Sequence, residues 1–320
     1  MSIAFTFPGQ GSQQVGMGKD LADSYQVARD VFNEVDDALG KSLTKIMWDG
    51  PAEDLTLTEN AQPALMAVSI AVMRCLKSEF GFDLASKVKY VAGHSLGEYS
   101  ALAAAGTFTL TDTAQLLRIR GKSMQAAVPV NEGAMAALLG LDLPDAIKLA
   151  EKANLAEDGS SEVCNAANDN APGQVVLSGH RAAIERAVEL AKEFGARRAV
   201  LLDVSAPFHC SLMQPAADAM KDALSNTEMD NPAVPLVANT LAKAVTDADT
   251  IREGLVNQVT GQVRWRESVE FMAANGITTL YEVGSGRVLT GLARRIERSL
   301  EANSIGTPDD IKSSAEIFSA

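Results

Sequence analysis

Val88 to Ala92 is a short apolar run, and Glu98 to Ala105 is alanine-rich and helix-prone. The five residues between them are Gly93-His94-Ser95-Leu96-Gly97. A strand that turns into a helix within five residues needs glycines where a side chain would collide with the turn. This G-x-S-x-G pattern predicts such an elbow, with Ser95 projected from the carboxyl end of a strand. The Leu96 N–H then points at the charge that develops when Ser95 attacks an acyl group, helped by the helix N-terminus. The segment forces an α/β reading, because a strand–turn–helix is one half of a crossover unit and α/β proteins place their sites at that end of the sheet.

The flanking sequence extends this reading. Ile3 to Phe7 predicts a strand that ends at the turn-rich Pro8-Gly9-Gln10-Gly11-Ser12-Gln13. Tyr25 to Leu39 and Asn60 to Phe80 show helical spacing, each followed by glycine, and Thr111 is the expected N-cap of a helix reaching about Ala127. The texture changes near Pro129. Strands are expected at 134–141, 162–165, 174–178 and 199–204, and helices at 144–153 and 181–194. A loop rich in Asn, Asp, Pro and Gly separates the second and third strands. The order β-α-β-β-α-β is ferredoxin-like. Residues 129–204 therefore read as a small subdomain inserted into a large α/β subdomain formed by 1–128 and 205–302. Residues 234–238 and 278–283 read as further strands, and 251–259, 266–274 and 289–300 as helices. The polar remainder, 303–320, reads as a loose tail.

A serine nucleophile needs a base, and the chain has three histidines. His94 adjoins Ser95 and is expected to point away at a tight turn. His180 reads as a capping or surface residue. His209, in Ala206-Pro207-Phe208-His209-Cys210 at the subdomain junction, is the best candidate by elimination. No acid between Ser95 and His209 stands out as a triad member, and about a third of the chain follows His209. Both points count against an ordinary α/β-hydrolase. A backbone carbonyl could orient the imidazole instead. Arg120 has two readings that the bare sequence leaves open: a solvated helix arginine, or a buried guanidinium that clamps a carboxylate through two parallel hydrogen bonds.

Composition excludes several function classes. Lys and Arg total 28 against 41 Asp and Glu, a net charge of −13, which argues against general nucleic-acid or anionic-membrane binding. Three scattered cysteines and the absence of H-E-x-x-H spacing argue against a disulfide framework or a metal site, and imply a cytoplasmic protein. No uncharged run approaches the roughly 18–20 residues of a membrane helix, and no secretory signal is visible.

Six motifs in order, spanning about residues 3 to 297, resemble the malonyl-CoA:acyl carrier protein transacylases and the wider acyltransferase-domain family of fatty acid and polyketide synthases. They are Phe7 to Gln13, Gln62-Pro63-Ala64, Gly93 to Glu98, Arg118 to Gln125, Asn170 to Val176, and Glu282 through Leu292. The resemblance implies a hydrolase-like large α/β subdomain with a parallel central sheet, an inserted ferredoxin-like subdomain, and a site in the cleft between them. It implies Ser95 as acyl-accepting nucleophile and His209 as base, with the Gln10 and Leu96 backbone N–H groups as oxyanion hole. Arg120 would bind the malonyl carboxylate, the Gln258 carbonyl would orient the histidine, and Asn168 and Asn170 would line the site. Two departures are Phe208, where serine is common, and Gly284-Ser285-Gly286, where Gly-Pro-Gly is common. Phe208 is expected to narrow the pocket against methyl-branched acyl groups.

The implied activity is ping-pong transfer of malonyl from malonyl-CoA to the phosphopantetheine thiol of acyl carrier protein, by a monomer with no cofactor and no metal. A serine thioesterase and a non-catalytic CoA-binding protein are the competing readings. Carrier proteins are usually acidic, so docking onto a chain of charge −13 calls for a local basic patch. Arg197, Arg198, Lys122, Arg264, Arg266 and Arg287 are its candidates.

Overall fold

The computed structural model describes residues 2–156 and 158–319; Met1, Glu157 and Ala320 lie outside the described residues. Its strands are β1 (Ile3–Phe7), β2 (Val88–Gly93), β3 (Gly133–Leu139), β4 (Cys164–Ala171), β5 (Gln174–His180), β6 (Arg198–Leu201), β7 (Leu236–Val237), β8 (Ala244–Val245), β9 (Thr279–Val283) and β10 (Glu301–Ile305). They form two sheets, ordered β10-β9-β1-β2-β7-β8 and β4-β5-β3-β6. The first is parallel from β10 to β7, with β8 antiparallel at its edge.

Every residue of β1 and β9 is buried, as a parallel sheet covered on both faces requires. Alternation along β1 and β2 divides the core in two. Phe5, Phe7 and Val91 face a large cluster with the helices Gln26–Leu39, Thr58–Phe80 and Leu110–Ala126. Ala4, Tyr90 and Ala92 face a second cluster with Trp265, Val269 and Leu289. The long helix Thr58–Phe80 is buried along most of its length, which explains why it is apolar nearly all round.

The second sheet is fully antiparallel and carries the helices Leu143–Ala153 and Arg181–Leu190 over its own apolar core. With β3 and β5 central and β4 and β6 at the edges, it has the ferredoxin-like order.

Several elements differ from the sequence expectation, each for a physical reason. The cap of the helix Leu110–Ala126 is Thr109, not Thr111: its hydroxyl accepts the Asp112 N–H at 3.0 Å. The polar run expected as a loop before Pro172 is mostly strand β4, because its side chains find partners across the subdomain junction. Buried Asp169 pairs with Arg266 at 2.8 Å, and Asn168 bridges to Val263. Only Pro172 and Gly173 turn the chain, Gly173 at φ +68°. Strand β6 and the helix after β5 are shorter than expected, and the helix beginning at Val288 stops at Ile296.

The tail is a further correction. Residues from Glu301 form β10, paired in parallel with β9, and the helix Pro308–Ser319 follows. Edge position explains the polar appearance: Ala302 and Ile305 are buried, one on each face of the sheet, while Glu301 and Asn303 are exposed. Phe318 closes an aromatic cluster, with ring centroids 4.8 Å from Phe82, 5.1 Å from Tyr281 and 5.8 Å from Phe5. Phe318→Ala is therefore expected to destabilise the fold by about 3 kcal/mol in urea unfolding, the scale of a large-to-small core change. A loose tail would give no change.

Candidate active site

Ser95 stands between β2 and the helix Gly97–Ala104 with φ +55°, a left-handed backbone that few non-glycine residues adopt. The elbow leaves no room beside it. A Cβ at Gly93 would collide with the Gly97 backbone, and one at Gly97 would collide with Phe7 of β1. Both glycines are thus required by close backbone approach. The Gly9 backbone also abuts the elbow, since a Cβ there would lie 2.7 Å from the His94 carbonyl oxygen. That contact brings the Pro8–Gln13 loop, and with it Gln10, to the nucleophile.

The Ser95 hydroxyl and His209 Nε2 are 2.7 Å apart, and His209 Nδ1–H donates to the Gln258 carbonyl at 2.8 Å. The second bond fixes the tautomer that leaves Nε2 free to accept. It also accounts for the missing triad acid, because a carbonyl holds the ring where a carboxylate is usual. His209 itself has φ +59°. Burial, with the Arg120 charge beside it, pushes the imidazole down to about 3, so the ring is neutral, with Nε2 open to accept, throughout the neutral range.

Arg120 is fully buried, which rules out the solvated reading. Its NH1 donates to Gln62 Oε1 at 2.8 Å, and its NH2 to Gln258 Oε1 at 2.8 Å and to the Ser95 hydroxyl at 3.1 Å. Its carbon lies 5.7 Å from the Tyr99 ring centroid. All of these partners are neutral. The guanidinium keeps its charge despite burial, since arginine does not deprotonate in proteins. It stands beside the Ser95 hydroxyl with no carboxylate in direct contact.

Two residues of the site escaped the sequence reading. Asn239, just after β7, accepts the Ser95 N–H at 2.8 Å through Oδ1 and donates to the Gly93 carbonyl at 2.6 Å through Nδ2. It thereby staples both sides of the strained turn. The available signal was a polar residue at the carboxyl end of a strand, next to the elbow strand in the sheet. Glu98 is buried beneath the elbow, where it accepts the Asn239 N–H at 3.2 Å and a hydrogen bond from Gln258 Nε2. Burial raises its carboxyl to about 7, while those two donors and Arg120 pull it down.

A cavity of about 350 Å³ lies between the two sheets. Ser95, His209, Arg120, Gln10, Leu96, Asn168, Asn170 and Phe208 all line it, and Gln258 sits behind them. His94 donates from Nε2 to Asn170 Oδ1 at 2.8 Å, which turns it away from the nucleophile's hydroxyl. His180 accepts the Val163 N–H at 2.8 Å and is a structural residue. Among the basic candidates, Arg264 is paired with Glu267, and Arg266 with Asp169 and Glu270, so neither is a free surface cation. Among the described residues, no group of three potential ligands could hold a metal, and no helix is long and apolar enough to cross a membrane.

The histidine makes a clear pH prediction. In the folded chain the His209 ring is expected to stay neutral from pH 8 down to 5, as followed by imidazole carbon NMR; a midpoint near 6.5 would contradict the buried geometry. Its linkage to stability has a definite sign. The unfolded chain takes up a proton near 6.5 and the folded chain only near 3, so this residue lowers stability as pH falls below about 6.5.

Residues 4–307 match the family described as acyl transferase domain. The chain is 45% identical to the malonyl CoA-acyl carrier protein transacylase of Escherichia coli strain K12 over 315 residues, 98% of this chain and 99% of that one. Its structure superimposes on the acyl-carrier-protein-S-malonyltransferase of Bartonella henselae with a TM-score of 0.96 and 57% identity, covering 100% of both chains. It is likewise similar to a malonyl-transacylase solved in complex with a type II polyketide synthase acyl-carrier protein, with a TM-score of 0.93 and 40% identity, covering 99% of this chain and 100% of that one. The chain belongs to the acyl transferase domain family and, within it, to the malonyl CoA-acyl carrier protein transacylases.

Proposed function

We propose that this enzyme moves a malonyl group from malonyl-CoA to the phosphopantetheine thiol of an acyl carrier protein, through a malonyl ester on Ser95. The observation that carries this reading is the buried Arg120 guanidinium, 3.1 Å from the Ser95 hydroxyl and without a carboxylate partner. An acyl chain that ends in a carboxylate supplies what the cation lacks.

The geometry supports each step. Ser95 attacks the thioester carbonyl as His209 Nε2 takes its proton. The Leu96 and Gln10 N–H groups, at the helix start and in the adjoining loop, receive the oxyanion; one such donor is worth about 3 kcal/mol in other serine enzymes. His209 returns the proton to the departing sulfur, which leaves as CoA thiol. The low basicity of the buried ring favours that return. The carrier's thiol then repeats the attack on malonyl-Ser95, with His209 as base. The reaction as read needs no resident cofactor or metal, and the three buried, unpaired cysteines fit a reducing cytoplasm. We read the enzyme as a monomer.

Phe208, buried in the cleft wall, supports selection against a methyl branch next to the thioester. For the carrier, the partly exposed edge strand β6 offers Arg198, with Arg197 preceding it, and Leu202 just after it lines the cleft. That is the docking edge we infer for an acidic partner.

Intact-protein mass spectrometry after brief exposure to malonyl-CoA tests the reading. A malonyl adduct is expected on the wild type and none on Ser95→Ala, and holo carrier protein should discharge it far faster than water. Equal discharge by water would make the protein a thioesterase. In the same assay Arg120→Ala is expected to lower malonyl loading at least 100-fold, the scale of a broken buried ion pair. Acetyl loading should not fall in parallel.

A further inference from the structure

Resting on the malonyl-transfer reading, we propose that Glu98 and the Gln258 side chain form an insulated counter-charge for Arg120. Gln258 holds the guanidinium in place, and Glu98 sets the direction of the Gln258 amide, so that the acyl carboxylate is the only anion to touch Arg120. This role of Gln258 is separate from that of its backbone carbonyl, which anchors His209.

A glutamine amide has nearly the same shape either way round, and its neighbours decide which end is oxygen. Gln258 Nε2 faces three acceptors: the Ser95 carbonyl at 3.0 Å, Asn239 Oδ1 at 3.4 Å and a Glu98 carboxylate oxygen. Its Oε1 faces the Arg120 NH2 at 2.8 Å. Flipping the amide would set an oxygen against three acceptors and an NH2 against a cationic donor. Arg120 therefore has a fixed acceptor on this side, and Arg120, Gln258, Asn239 and Glu98 are all buried.

Charge explains why the intervening residue is an amide. A buried guanidinium needs a nearby negative charge. A carboxylate in direct contact would form an internal ion pair and compete with substrate. Glu98 lies one amide away, close enough to compensate the charge and too far to occupy its donors. Glu98 must also be a carboxylate to do this, because it accepts with both oxygens: one from the rigid Asn239 backbone N–H at 3.2 Å, the other from Gln258. A glutamine at 98 can accept with one oxygen only. With that oxygen held by the Asn239 N–H, its NH2 faces the Gln258 NH2, donor against donor, and pushes the amide off its seat on Arg120.

The test measures malonyl and acetyl loading of Ser95 at pH 8 in wild type, Glu98→Gln and Gln258→Glu. The readout is the malonyl-to-acetyl ratio of kcat/KM, because lost stability or a displaced His209 lowers both acyl groups alike. In Glu98→Gln the displaced amide withdraws Arg120's acceptor. In Gln258→Glu, which keeps size and backbone, a carboxylate sits on Arg120. The ratio is expected to fall at least tenfold in each, and a smaller fall in either overturns the role given to that residue. If Glu98→Gln does not fold, Gln258→Glu decides alone. A wild type with no malonyl preference would instead overturn the malonyl reading, which separates the two failures.

Discussion

The left-handed backbone of Ser95 is the constraint around which the molecule is arranged. Such a conformation costs roughly 1–3 kcal/mol in a non-glycine residue and persists only where its surroundings over-determine it. Here they do so from several directions. Gly93 and Gly97 remove side chains that the crossing backbone would strike. Asn239 ties the Ser95 N–H to the Gly93 carbonyl from the neighbouring strand. Gln258 reaches the Ser95 carbonyl from a helix that also carries the carbonyl bonded to His209. The serine is held upright by the same groups that anchor His209 and Arg120.

A second constraint follows from burying a cation beside that serine. Arg120 enters the core on the helix Leu110–Ala126, and its donors meet the amide oxygens of Gln62 and Gln258. Amides satisfy hydrogen bonds without cancelling charge, so the guanidinium keeps its attraction for an anion in a place from which water is largely excluded. The same charge helps keep His209 neutral, as does desolvation of the ring. One buried charge thus acts on both the imidazole and the cavity beside Ser95.

The inserted antiparallel sheet completes the cleft. Its strand β4 presents Asn168 and Asn170 to the cavity, and Asp169 to Arg266 of the large subdomain. That pair, its Asp169 buried, together with Asn170 bonded to His94 docks the insert against the elbow itself. The polarity of β4, which reads as loop in isolation, is what makes it an interface strand.

Local signals were legible because they are written in contiguous residues. Gly93 to Gly97 defines the elbow, the alternation in β1 and β2 defines a buried sheet, and the β-α-β-β-α-β order defines the insert. The family motifs added Arg120, Gln10 and Gln258. What the linear pattern could not hold is distance between residues remote along the chain. Ser95 meets His209 across 114 positions, Asn239 across 144, and Gln258 across 163. Whether Arg120 is solvated, whether a carbonyl can replace an acid, and which way an amide faces all depend on those contacts. So did the C-terminal strand and helix, whose few apolar residues suffice only because β9 and the Phe5–Phe82 pair were already there to receive them. The sequence by itself determined the backbone turn that makes a nucleophile, since sterics act between neighbours. The tertiary structure decided which charges and hydrogen-bond partners meet that serine, since these act through space between groups that only folding brings together.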